Sequence, residues 1–142
     1  MLAQGYARTY RSNAVLTASP GQLVLMLYDG ALRALAQARD AFSWPESERR
    51  RIEVINQQLL KAQAIIAELQ GGLNFEAGGE VAVTLNRVYD YYNRRLFEAN
   101  LRKQVQPVVE VERLLGEIRD GWAEMLMKQG GSQPAEPVRG VA

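Results

Sequence analysis

Apolar residues in this chain return at intervals of three and four, in segments cut apart by proline and glycine. Ile52, Ile55, Leu59, Ala62, Ile66 and Leu69 form one such series. Val81, Leu85, Val88, Tyr92, Leu96 and Ala99 form a second, and Val108, Val111, Leu115, Ile118, Trp122 and Met125 a third. Steps of three and four keep a side chain on one face of an α-helix, whereas a half-buried strand would need alternation by two. No strand-like alternation of useful length competes. The pattern therefore dictates an all-α chain.

The punctuation sets the ends of the helices. Ser19 fits an N-cap and Pro20 the first turn of helix one, which Pro45 closes. Helix two is expected to stop at Gly71-Gly72. Residues 73–77 read as a connector, and Gly78-Gly79 as the opening of helix three, which runs to about Lys103. Pro107 opens helix four, ending at Gly130-Gly131. Four helices of about 23–25 residues, each about 35 Å long, joined by short connectors, make an antiparallel up-down-up-down four-helix bundle. The expected organisation is an N-terminal arm or cap at 1–18, the bundle at 19–129 and a disordered tail at 130–142.

Composition removes most chemistry from such a bundle. The chain has no cysteine and no histidine. It therefore lacks thiolate nucleophiles, the commonest general base and the residues that most often bind zinc or iron. A net charge of +1 gives no drive toward nucleic acid. The longest apolar run, residues 23–28, is far short of the roughly 20 residues that span a bilayer, and no secretory leader is expected. The expected location is the cytoplasm, with no cofactor and no metal. Glu117, Asp120 and Glu124 share a helix face, but a solvated face paired with Arg113 and Arg119 explains them better than a metal site. Arg49-Arg50-Arg51 reads as an exposed helix start.

What remains is surface. Helix one carries a stripe of large residues, Leu25, Tyr28, Leu32, Leu35 and Phe42, and beside it a second stripe of Val24, Leu27, Ala31, Ala34, Ala38 and Ala41. Either this helix is crowded on both sides, or it contributes a groove for a helix from elsewhere. Helix two holds Leu60, Ala64, Ile65 and Ala67 outside its main series. On helix three, Asn86, Asn93 and Asn100 recur every seven residues, with Tyr89 and Leu96 between them. That line reads either as a boundary strip bonded to neighbouring helices or as a strip facing a partner.

Several segments together resemble the flagellar export chaperone family, FliS. They are Tyr10-Arg11-Ser12-Asn13-Ala14-Val15; Thr17-Ala18-Ser19-Pro20 with Gln22-Leu23-Val24-Leu25-Met26-Leu27-Tyr28-Asp29-Gly30-Ala31-Leu32; and Lys61-Ala62-Gln63-Ala64-Ile65-Ile66-Ala67-Glu68-Leu69. Gly78-Gly79-Glu80-Val81-Ala82, Leu85-Asn86, Tyr89-Asp90-Tyr91-Tyr92, Arg94-Arg95-Leu96 and Glu98-Ala99-Asn100 follow, then Glu110-Val111, Leu114-Leu115 and Arg119-Asp120-Gly121-Trp122. The resemblance covers about residues 6–124. It implies a four-helix bundle whose N-terminal segment packs as a cap, and no enzymatic activity. It implies binding of the disordered C-terminal segment of flagellin in the cytosol, which blocks premature polymerisation and readies the subunit for type III export. Members also interact with the export gate when loaded, and some with an anti-sigma factor. Tyr10 matches the family's N-terminal tyrosine and Tyr6 a less regular one. Two departures stand out: Tyr92 where the family usually has Met, and Phe75 before the double glycine. Both are expected to tune flagellin preference.

The expected partner-binding residues are Tyr6, Tyr10, Leu27, Ala31, Ile65, Asn86, Tyr89, Asn93, Leu96 and Asn100. Two other readings compete. A chorismate-mutase-like helical enzyme would need Arg39, Arg94 or Arg95 to converge inside the bundle. A homodimer would consume the surplus apolar surface itself.

Overall fold

The computed structural model describes residues 17–132. Four helices follow in order: α1 (Pro20–Phe42), α2 (Arg51–Gly71), α3 (Phe75–Arg102) and α4 (Gln106–Ser132). Each packs on the next, and α4 returns to α1, so the helices close a ring around one core. The cross-helix bonds fix direction. Gln70 meets Asn86, Gln63 meets Asn93 and Asn56 meets Asn100, so α2 and α3 run antiparallel. Arg39 meets Glu112 and Arg119 meets Asp29, so α1 and α4 do too.

The ends follow the local chemistry. Ser19 caps α1 in a capping box: its Oγ accepts from the Gln22 backbone N–H at 3.2 Å, and Gln22 Oε1 accepts from the Ser19 N–H at 3.1 Å. α2 ends against Gly72, as its double glycine predicts. α3 departs from expectation. It starts at Phe75 behind an Asn74 cap, and Gly79 breaks it with φ 50° and ψ −125°. The expected connector is thus a capped helical turn, and the double glycine is a kink between it and the long part of α3. Only glycine holds that backbone without strain. α4 continues to Ser132; residues 133–142 lie outside the described residues.

The core is built from the predicted series. Ile55, Leu59, Ala62, Ile66, Leu96, Ala99, Val108, Val111 and Leu115 are fully buried. Burying each Leu, Ile or Val contributes roughly 1.5–3 kcal/mol. Ala31, Ala34, Ala38 and Ala41 on α1 are also buried, and α1 makes its most extensive pairing with α2. Small side chains let those two backbones approach, so most of the surplus α1 stripe is consumed inside the bundle. Only its first members, Val24 and Leu27, remain partly open.

The seam between α2 and α3 is polar and regular. Asn56, Gln63 and Gln70 on α2 stand seven residues apart, as do their partners Asn100, Asn93 and Asn86 on α3. Asn100 Nδ2 donates to Asn56 Oδ1 at 2.8 Å, Asn93 Nδ2 to the Gln63 carbonyl at 3.2 Å and Gln70 Nε2 to Asn86 Oδ1 at 2.8 Å. The rungs favour one register, because a slip of one turn would break bonds between amides that are partly withdrawn from water.

At the far end, Arg51 corrects the reading of an exposed basic triplet. Its Nη2 donates to the Phe42 carbonyl at 3.1 Å and its guanidinium lies 5.9 Å from the Phe42 ring centre. It satisfies a carbonyl left free where α1 ends. Arg49 and Arg50 stay exposed.

Candidate functional site

Three of the apolar series run out of the core at the same end of the bundle. On α4, Val108, Val111 and Leu115 are buried, but Ile118 and Trp122 are only partly so. On α3, Tyr92 and Leu96 are buried, Leu85 is half-buried and Val81 is 68% exposed. On α1, Val24 and Leu27 lie half-open beyond the buried Tyr28. Here the N-terminus of α1 and the C-terminal half of α4 meet the loop that joins α2 to α3.

They enclose a cavity of about 270 Å³. Val24 and Leu27 line it from α1, Leu69 and Leu73 from the end of α2 and the loop after it, Val81 and Leu85 from α3, and Trp122 and Met125 from α4. Asn74, Ala77 and Gly78 of the capped turn form one side. The volume is just below the roughly 300–1,000 Å³ of small-molecule pockets, and its walls are mostly hydrocarbon. It suits one or two apolar side chains of a larger partner better than a polar metabolite.

Tyr28 and Tyr89 reach its floor from opposite corners of the bundle, with their hydroxyls 2.6 Å apart. One donates and the other accepts. Burial pushes both phenols above their ordinary value, and the Tyr28 hydrogen bond partly offsets that rise for Tyr28. Both stay neutral in the working range, so the floor carries no charge. Tyr92 packs edge-on against Tyr89 at 6.5 Å, and burial pushes it up to about 12.

Two polar ties brace the wall. Trp122 Nε1 donates to the Gly21 carbonyl at 2.9 Å, and Arg119 Nε to Asp29 at 2.8 Å. The first satisfies the N–H of an indole that lines the cavity.

The expected partner-binding residues fall in four places. Leu27 lines the cavity and Tyr89 forms its floor. Ala31 is buried below it, and Ile65 packs partly buried against the core, beside Gly30 of α1. Leu96 is wholly buried in the core, and Tyr89 is 1% exposed, so neither stands on an outer strip as expected. The reason is angular: three residues beyond an asparagine turns a side chain about 60° around the helix, into the bundle. Asn86, Asn93 and Asn100 each make a side-chain bond to α2, as a boundary strip would, and Asn100 Oδ1 also accepts from Lys103. Tyr6 and Tyr10 lie outside the described residues.

Sequence reading placed Val24 in the groove-forming stripe of α1 but missed Leu73, Ala77, Val81, Leu85, Trp122 and Met125 as lining residues. Most had been absorbed into core series. The signal available was length: those series continue past the turns where the partner helices begin.

The enzyme reading finds no support. Arg39 pairs with Glu112 at 2.9 Å in solvent, Arg95 pairs with Glu98 and Glu110, and Arg94 is exposed. No guanidinium lines the end cavity. Arg95 and the Tyr91 hydroxyl together hold the Glu110 carboxyl below its ordinary value, as a surface cluster would. Glu117, Asp120 and Glu124 pair with Arg113, Arg119 and Lys128 on a solvated face. No cluster suited to a metal occurs among the described residues, and no helix there is long and apolar enough to cross a membrane.

Outside the cavity, Leu60 on α2 and Phe97 and Leu101 on α3 are 54%, 61% and 71% exposed. The register that pairs Asn56 with Asn100 brings Leu60 and Phe97 to the same level of the bundle.

Comparison with known proteins agrees with this architecture. A family model described as flagellar protein FliS matches residues 2–129. The flagellar secretion chaperone FliS of Salmonella typhimurium is 41% identical over 126 residues, covering 88% of this chain and 90% of that one. The FliS of Bacillus subtilis is 36% identical over 129 residues, covering 91% and 92%. The flagellar secretion chaperone FliSB of Pseudomonas aeruginosa is 40% identical over 108 residues, covering 76% and 82%.

Proposed function

This chain belongs to the FliS family of flagellar secretion chaperones, and on that premise we propose that it binds the C-terminal segment of flagellin in the cytosol before export. The family is one of chaperones, not enzymes. The observation that carries the finer reading is the end cavity, where apolar series from three helices continue beyond the core and remain partly uncovered.

The physics suits a disordered client. An amphipathic segment that other subunits would bury in a filament needs the same apolar face covered until then. Folding against this bundle would bury on the order of 1,000–3,000 Å² and cost roughly 2–5 kcal/mol in ordering. The cavity would take the deepest side chains, and the exposed Leu60, Phe97 and Leu101 would extend the track along the outer face. The arm that carries Tyr6 and Tyr10 leads into Ser19 and Gly21 at this end of the bundle. In this reading it covers the opening when no client is present and yields to flagellin. The export gate and an anti-sigma factor are further partners implied by the family resemblance.

Calorimetry and circular dichroism with a peptide of the flagellin C-terminus test the reading. The expected result is about 1:1 binding with a gain in helix. Val81→Asp locates the site, because Val81 is already 68% exposed and a charge there costs little stability. It should weaken the peptide at least tenfold with the melting temperature nearly unchanged. No heat and no added helix with the native chain would overturn the reading.

A further inference from the structure

One side of the cavity is built differently from the others. The 74–78 turn is a single turn held by its own bonds. Asn74 Oδ1 accepts from the Ala77 N–H at 3.0 Å, and the Gly78 N–H donates to the Asn74 carbonyl at 2.8 Å. Residues 74–81 are all exposed, and the first buried residue beyond them is Ala82. Asn74, Ala77 and Gly78 nevertheless line the cavity, while Phe75 on the same turn is 50% exposed.

Glycine stands on both sides of this turn. Gly72 ends α2, and Gly79, at φ 50° and ψ −125°, interrupts the helical hydrogen-bond ladder between the turn and the rest of α3. An unbroken α3 would carry the turn as a rigid extension. The interruption removes that coupling and leaves the turn joined to the bundle through Gly79 on one side and, on the other, through Gly72 and Leu73, whose side chain packs partly buried against the core. A segment with few buried apolar contacts and solvent-exposed backbone bonds opens at low free-energy cost, and rotation at a few terminal residues is how hinged elements move.

We propose that the 74–78 turn is a hinged lip of the end cavity, swinging about Gly72 and Gly79 to admit apolar side chains of the client and closing over them. This rests on the reading that the cavity receives the flagellin segment. It gives Phe75 a place: on a closing lip its ring is carried toward the client.

Hydrogen exchange read by mass spectrometry on the full chain, alone and with the flagellin C-terminal peptide, tests the proposal. In the free chain, amides at 75–80 should exchange at least 100-fold faster than those at 88–98. Peptide should slow them at least tenfold. Equal protection of both stretches in the free chain would overturn the lip. Peptide binding that leaves 75–80 unprotected would also overturn it, while leaving the proposed function standing. Fast exchange with no peptide binding would sink the proposed function and support the hinge alone. Gly79→Ala forces that residue out of a backbone conformation that L-residues rarely hold. The lip should then straighten onto α3, and the peptide should bind at least tenfold more weakly. Unchanged affinity in a folded variant would count against the hinge; an unfolded variant leaves the decision to the exchange data. Gly71→Ala, where an added Cβ meets open space, is the control and should bind normally.

Discussion

The Tyr28–Tyr89 pair allows a test in which two single changes cost more than the double change. The hydroxyls lie 2.6 Å apart and the residues are 3% and 1% exposed. Tyr28→Phe or Tyr89→Phe removes one partner and leaves the other hydroxyl buried without it. An unsatisfied buried hydroxyl costs roughly 1–3 kcal/mol, whereas replacing both partners with apolar groups of the same shape is close to neutral. Each single variant should therefore lose about 1–3 kcal/mol, and the double variant about 0–1 kcal/mol. The rings keep their volume, so no cavity term intrudes. Urea unfolding followed by circular dichroism gives all three values, and the double-mutant cycle isolates the coupling. Because the pair forms the floor of the end cavity, water entering there would satisfy a lone hydroxyl. Single variants that lose less than about 0.5 kcal/mol and add up in the double variant would refute the reasoning that a lone hydroxyl here goes unsatisfied.

Other predictions follow from the same geometry. Leu96→Ala should cost about 2–5 kcal/mol, as deletion from a packed core does, while the folded fraction still binds the flagellin peptide normally; urea titration and calorimetry separate the two. Asn93→Ala should cost about 1 kcal/mol by breaking one rung of the α2–α3 seam, without weakening the peptide. Tyr28, Tyr89 and Tyr92 all have raised pKa values, so the folded state holds their protons more tightly than the unfolded state. Their contribution is fully present below about pH 10 and is lost as pH rises toward the folded values, so stability should fall with alkaline pH from about 10 upward. Absorbance at the tyrosinate band should show these phenols ionising only with unfolding. Tyr10→Ala should change peptide affinity while moving the melting temperature little; a large stability loss would make Tyr10 a core residue instead.

Tyr92 and Phe75, set apart in the sequence by the family resemblance, occupy different places in three dimensions. Tyr92 is 4% exposed and packs on Tyr89, so it acts on the floor of the cavity from within the core. Phe75 stands on the lip. Only the second is placed to meet a client directly.

Ser19, Pro20, Gly71-Gly72 and the intervals of three and four fixed four helices, their approximate ends and most of their core, because caps, stops and periodicity act within a few residues of chain. The sequence could not say which helix covers which face. A period of 3.6 gives each side chain a direction around its own axis, but the rotation and register of one helix against the next decide whether that direction meets protein or solvent. That is why the heptad spacing of Asn86, Asn93 and Asn100 left both a partner and a neighbour open, and why the α2 residues that answer them seven by seven became meaningful only once α2 lay alongside. It is also why Tyr89 and Leu96 turned inward. Gly79 was legible as a glycine near a helix start, but its kink arises because α3 must leave the loop and still lay Ala82, Tyr89 and Leu96 into the core. The cavity is the sum of such decisions: apolar series written locally in three helices, left uncovered at one end because the helices that would bury them have already turned away.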